Sequence, residues 1–253
     1  MKVVATYNLK GGVGKTTAAV NLAYLAAHHG GRTLLWDLDP QGGSSYLLGL
    51  EAGVKGGARR LVRADEDPEA MTRPTGRHNL DLLPADFSYR NLDIVLDGKK
   101  QSTQRFARVV SLLNSSYRYV VIDCPPSISL VAENVFNAVD LLLVPLIPAP
   151  LSVRTFDQIT GFVRRTCPHP PDVRAFFSMV DGRKRLHRDV VEQLSNRWPG
   201  ILRTHVPAAA DVERMGTIRA PLAEFAPMSR AAVAFQALWQ EVAGNLDEVT
   251  VAK

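Results

Sequence analysis

The sequence predicts an α/β fold, a single domain built on a mostly parallel, twisted sheet with helices on both faces. Three observations predict it. Short apolar runs alternate with helix-like segments along the chain, the pattern of strands joined by crossover helices. Several runs are nearly continuous in Val, Leu and Ile, as strands buried on both faces should be. A chain of 253 residues with 46% hydrophobic content is also long enough to bury a sizeable core within one sheet-based unit.

The first strand is expected over residues 2–8 and runs into a glycine-rich segment. Residues 15–29, rich in Ala and Leu, form the first helix, which Gly30-Gly31 stops. Further strands are expected over residues 33–39, 119–123, 141–147, 174–180 and 202–206. Residues 51–78 fit no element cleanly. There a basic run (Lys55, Arg59, Arg60, Arg63) meets an acidic one (Asp65, Glu66, Asp67, Glu69), which reads as a surface excursion with a short helix. Residues 231–246 carry a helical apolar stripe of Phe235, Leu238, Trp239, Val242 and Leu246.

Bulk properties narrow the function classes. A 22% charged fraction is ordinary and argues against disorder. The net charge of +5 is a mild excess whose meaning depends on where the charges sit. Cys124 and Cys167 form no disulfide framework and no metal-ligand spacing, so a reducing, cytoplasmic setting is expected. The N-terminus has no signal-peptide pattern, and no apolar run reaches the ~18 residues of a membrane span.

Three motifs carry chemistry. Lys10-Gly11-Gly12-Val13-Gly14-Lys15-Thr16-Thr17 lies directly after a strand and before a helix. Glycines let backbone N–H groups turn inward to cradle phosphates, and the helix N-terminus favours negative charge. In such a loop Lys15 reaches the β- and γ-phosphates, the Thr16 hydroxyl coordinates Mg²⁺, and Thr17 contacts the α-phosphate. The second motif is Trp36-Asp37-Leu38-Asp39-Pro40-Gln41-Gly42. Strand alternation would put Asp37 and Asp39 on one face at the carboxyl edge, where α/β folds bind ligands. The third is Tyr119-Val120-Val121-Ile122-Asp123-Cys124-Pro125-Pro126-Ser127, an apolar strand ending in an acid. Asp123 would hold Mg²⁺ through water, since that cation keeps several waters beside phosphates. Cys124 reads as a buried strand-end residue and not a nucleophile.

With its entrance lysine, the run Lys-Gly-Gly-x-Gly-Lys-Thr departs from an ordinary phosphate loop. Together with Asp-x-Asp-Pro-Gln-Gly and Asp123-Cys124-Pro125-Pro126-Ser127, it resembles the ParA/MinD/Soj family of P-loop ATPases with a deviant Walker A loop. The resemblance covers nearly the whole chain. It implies ATP and Mg²⁺ as cofactors and a homodimer in the ATP state. Lys10 would reach the partner subunit's nucleotide, Asp39 would orient the attacking water, and Asp37 would support the Mg²⁺ waters. Met179 and Pro207 fall where the family lines its adenine pocket, although both segments could equally be core strand and turn.

The resemblance also implies binding to nonspecific nucleoid DNA and stimulation by a ParB-like adaptor or cargo protein. Arg183-Lys184-Arg185-Leu186-His187-Arg188 is uninterrupted by any acid, and Arg197, Arg203, Arg214 and Arg219 follow. These are the candidate phosphate contacts, with a solvated helix face as the alternative. MinD-like relatives end in a membrane-targeting helix. Here no basic residue lies between Arg230 and Lys253, while Glu241, Asp247 and Glu248 are acidic. The apolar stripe is therefore expected to pack on the body of the protein and not on a membrane.

The chain opens on its first strand, so no N-terminal helix-turn-helix extension is expected. Iron–sulfur carriers of this fold need paired cysteines, and tyrosine kinases of this fold need a C-terminal tyrosine cluster. No tyrosine follows Tyr119. Synthetases of the dethiobiotin type generally lack the entrance lysine and the Asp-Pro-Gln-Gly segment.

Overall fold

A computed structural model describes residues 1–63 and 67–251, with side chains through residue 247. Asp65, Glu66 and Lys253 of the charge patterns above, and the side chain of Glu248, lie outside the described residues. In chain order the elements are β1 (Lys2–Thr6), α1 (Lys15–His28), β2 (Thr33–Asp37), α2 (Gly43–Leu47), α3 (Gly57–Arg63), β3 (Arg73–Arg77), β4 (Leu80–Leu83), α4 (Leu92–Asp97), α5 (Arg105–Leu112) and β5 (Tyr119–Asp123). They continue with α6 (Leu130–Phe136), β6 (Leu141–Leu146), α7 (Pro150–Thr166), β7 (Asp172–Val180), α8 (Arg185–Arg197), β8 (Ile201–Pro207), α9 (Ala210–Ile218), α10 (Leu222–Phe225) and α11 (Arg230–Val251). Among the described residues the strands form one sheet in the order β3-β4-β2-β5-β1-β6-β7-β8. Every neighbouring pair is parallel except β3–β4.

The continuous apolar strands follow from burial on both faces. Val120 and Ile122 of β5, with Leu142 and Val144 of β6, face one core, which is covered by Leu61 of α3, Phe106 of α5 and Phe156 of α7. Val121, Leu141 and Leu143 face the other, covered by α1 and α11. The period of two along each strand thus sends alternate apolar residues to opposite layers.

The α11 stripe belongs to the second core. Phe235, Leu238, Trp239, Val242 and Leu246 are all buried, so the helix packs on the body as its missing basic face implied. Glu241, on its polar side, accepts hydrogen bonds from the backbone N–H groups of Arg203 (2.9 Å) and Thr204 (2.8 Å) of the edge strand β8. Among the described residues no helix is long and apolar enough to cross a membrane. Leu238 is fully buried, so Leu238→Ala is expected to lower unfolding free energy by about 2–5 kcal/mol, read from urea denaturation.

Two sequence expectations need correction. First, β1, β2 and β6 end earlier than expected, at Thr6, Asp37 and Leu146. Asp39 is therefore not a strand residue sharing a face with Asp37. It sits in a turn in which its carbonyl accepts from Gly42 N–H and its Oδ1 from Gln41 N–H, both at 2.9 Å. Pro40 explains the change, because a proline cannot donate to the ladder. Second, residues 51–78 are more than a surface excursion. α3 buries Ala58, Leu61 and Val62 in the first core, while β3 pairs with β4 (Leu80–Leu83) and forms an edge of the sheet. β3, Arg-Pro-Thr-Gly-Arg, carries no apolar signal because it is an edge strand, where a proline is tolerated.

Candidate functional site

The carboxyl ends of β1, β2 and β5 lie side by side. Register sets Thr6 of β1 and Asp37 of β2 each level with Asp123 of β5. Two carboxylates from neighbouring strands therefore meet at the edge where open α/β sheets bind ligands.

The glycine loop crosses this edge between β1 and α1. Gly14, the N-cap of α1, has φ 94°, a conformation favourable only to glycine, and no side chain caps the helix. A Cβ on Gly14 would also come within 2.8 Å of Ser178 Oγ. The first N–H groups of α1 are thus left for a ligand, as at an anion-binding helix start. Lys15 is buried (6% exposed), and its Nζ donates to Lys10 O at 2.9 Å. Burial pushes its pKa down, while the nearby charge of Asp123 pulls it back up. Asn8 anchors the loop entrance, accepting from Lys10 N–H (2.9 Å) and donating to Pro145 O (2.7 Å). Its position at the end of the first strand was the sequence signal for this role.

Beneath the loop, Asp37 and Asp123 are fully buried. Asp37 Oδ2 accepts from Ser45 N–H (2.7 Å) and Ser45 Oγ (2.8 Å), and Asp123 Oδ2 accepts from Ser44 Oγ (2.8 Å). The second oxygen of each, Oδ1, is buried with no hydrogen-bond partner. Burial raises the pKa of Asp37 against the Ser45 hydrogen bonds. Burial, and then the charge of Asp37, raises that of Asp123, opposed by the hydroxyls of Thr16 and Ser44. Two buried carboxylate oxygens lacking donors, beside a threonine hydroxyl, fit a hard divalent cation that carries its own waters. The Cys124 thiol is held protonated by burial, with its pKa well above the ordinary value, as its reading as a packing residue requires.

Asp39 stands apart from this pair. It is half-buried and lines an open cleft of about 590 Å³ with Gly12, Lys15, Thr16, Pro126 and Met179. Gly11 lines the same cleft, while Val13 is buried at 3% exposure. An adjoining cavity of about 140 Å³ is walled by Gly14, Thr17, Met179, Val206, Pro207 and Val212. Met179 and Pro207 thus line one cavity with the end of the glycine loop. Met179 adopts a left-handed backbone (φ 56°) unusual for its type. Sequence reasoning missed Val212 and Phe235, which complete the apolar wall.

The basic residues do not share one face. Arg183, Lys184, Arg185 and Arg188 are exposed at the start of α8, just past the carboxyl end of β7. Arg183 pairs with Asp181 at 3.0 Å, Arg185 more loosely with Asp189 at 3.7 Å, and Arg188 donates to Gly182 O. Arg197 is at the far end of that 13-residue helix, about 20 Å away, paired with Asp157. α8 packs on the first core, whereas Met215 roots α9 in the second. Arg214, paired with Asp211, and Arg219, over the Tyr46 ring at 4.2 Å, lie on and just after α9.

Residues 1–169 match the family described as an AAA domain. The sporulation initiation inhibitor protein Soj of Bacillus subtilis (strain 168) is 31% identical over 250 residues, 96% of this chain and 99% of its own. The chromosome-partitioning ATPase Soj of Treponema pallidum (strain Nichols) is 26% identical over 246 residues, 95% and 96% of the two chains. Among solved structures, apo McdA of Cyanothece gives a TM-score of 0.84 at 18% identity, over 95% of this chain and 98% of its own. Cobyrinic acid a,c-diamide synthase of Mycobacterium smegmatis, with bound ADP and magnesium, gives 0.80 at 25% identity over 95% and 93%.

Proposed function

Because the chain belongs to the Soj/ParA family of P-loop partitioning ATPases, we propose that it is a dimerising ATP switch that positions cargo on DNA. The ATP-bound homodimer holds nonspecific, nucleoid DNA. A ParB-like adaptor or cargo protein stimulates hydrolysis and so releases it. One observation carries this reading best, namely the buried Asp37–Asp123 pair with unpartnered oxygens, set beneath a glycine loop that holds a buried lysine.

Each residue then has a task. The backbone of Gly11, Gly12 and Gly14, with the N–H groups of Lys15, Thr16 and Thr17, cradles the phosphates, while Lys15 neutralises them. Met179 and Pro207 flank the base. Thr16, Asp37 and Asp123 hold Mg²⁺, which when bound offsets the charge of the phosphates. Asp39, with one oxygen turned to Gln41 N–H, uses its other to orient the attacking water. Among the described residues the Lys10 ammonium has no hydrogen-bond or ion-pair partner, and it serves the partner subunit's phosphates. Catalysis of this kind is positioning plus electrostatics. Arg183, Lys184, Arg185 and Arg188 supply the principal DNA contacts, with Arg197, Arg214 and Arg219 at the margins.

The solution mass of Asp39→Ala tests the switch. With Mg²⁺ and ATP it is expected at twice the chain mass, and with Mg²⁺ and ADP at the chain mass. The same single-chain mass with both nucleotides would refute the dimer.

A further inference from the structure

Three consecutive residues at the start of α2 touch all three groups read above as magnesium-side. Gly43 packs against Thr16, since a Cβ there would come within 3.0 Å of Thr16 Cγ2 and 3.3 Å of its Oγ1. Ser44 Oγ donates to Asp123 Oδ2 at 2.8 Å. Ser45 donates to Asp37 Oδ2 twice, from N–H at 2.7 Å and from Oγ at 2.8 Å. Both serines are fully buried.

We infer that Ser44 and Ser45 are positioning residues for the cation, each pinning one carboxylate by Oδ2 so that Oδ1 is presented without a protein donor. The inference rests on the reading of Thr16, Asp37 and Asp123 as the magnesium side of the site. A carboxylate free to turn about its last torsion would share both oxygens among whatever donors it met. Here the choice is removed. Ser45 Oγ accepts from Ala85 N–H at 3.1 Å, just past β4, so its own proton is committed to Asp37. Asp37 is thereby referenced to the backbone beyond β4, and Asp123 to the first turn of α2. In both cases the oxygen that the serine does not hold, Oδ1, is the one left unpartnered. Donors of this outer kind orient ligands and typically change metal affinity about 10- to 100-fold when removed.

The test titrates Mg²⁺ into the full chain with a fluorescent ADP analogue, and measures ADP affinity separately with Mg²⁺ chelated. Ser44→Ala and Ser45→Ala are expected to weaken Mg²⁺ binding about 10- to 100-fold and leave metal-free ADP affinity unchanged. Ser44→Thr, which keeps the hydroxyl, should restore it. Gly43→Ala should weaken Mg²⁺ binding independently by crowding Thr16. Ser45→Ala also strands Ala85 N–H, so if that variant unfolds, Ser44→Ala decides. Parental Mg²⁺ affinity in Ser44→Ala would overturn the inference. A parent protein whose ADP binding ignores Mg²⁺ would instead overturn the reading of the site on which it rests.

Discussion

Lys15→Ala is expected to abolish nucleotide binding, whereas Lys10→Ala leaves binding largely intact and removes hydrolysis that depends on dimer formation. The two lysines differ in their surroundings. Lys15 is nine-tenths buried, with its ammonium resting on the carbonyl of Lys10. Being desolvated costs it stability as a cation, and the charge of Asp123 only partly offsets this. A phosphate in the loop would give that buried charge its counter-ion, in a setting where the pair is far stronger than in water. Losing it should weaken ATP binding at least ~100-fold, about 3 kcal/mol. Lys10 is half-exposed and its ammonium has no hydrogen-bond or ion-pair partner among the described residues, so its removal takes nothing from a single subunit's nucleotide. Fluorescence titration gives the binding constants, and turnover measured at rising protein concentration separates the dimer-dependent rate. Equal loss of binding in both variants would contradict the division of labour.

Asp39→Ala should lower hydrolysis by ~10²–10⁴-fold, the range typical of losing a positioned proton acceptor, while ATP remains bound. The structure separates this carboxylate from the other two. Asp37 and Asp123 are buried beneath the loop, but Asp39 sits in the open cleft just before Pro40, its carboxylate accepting one hydrogen bond among the described residues, from Gln41 N–H. Its effect should therefore appear in turnover and not in nucleotide affinity. A matching loss of ATP binding would place Asp39 in the binding set. Asp123→Asn should show the reverse pattern, a changed Mg²⁺ requirement before any change in metal-free nucleotide affinity.

Much of this was legible in the sequence because local chemistry dictates it. The glycine loop, Lys15 and the strand-end acids sit where the motif spacing and the parallel-sheet pattern place them. The stripe of α11 lacks a basic face and is buried, as its composition implies. What stayed hidden depends on tertiary neighbours. β3 escaped notice because an edge strand such as Arg-Pro-Thr-Gly-Arg need not be apolar, and β4 because its run of four residues, Leu80–Leu83, is too short to give a clear period. Asp39 left the strand because Pro40 ends the ladder. Ser44 and Ser45 follow the Asp-Pro-Gln-Gly segment after Gly43, yet nothing in their spacing says that α2 folds back onto β2 and β5. The spacing of the basic residues likewise does not say which of them lie near one another. α8 and α9 lie on opposite layers of the sheet, which leaves the four at the start of α8 as the compact cluster.

Nucleotide gating of DNA binding is read most directly from the affinity of Asp39→Ala for nonspecific duplex DNA with ATP, with ADP and with neither. Tight binding is expected with ATP alone, weakening steeply between about 50 and 200 mM salt, with a shallower salt slope when Lys184 and Arg185 are replaced by alanine. Binding that is the same in all three nucleotide states, or absent from all three, would contradict it.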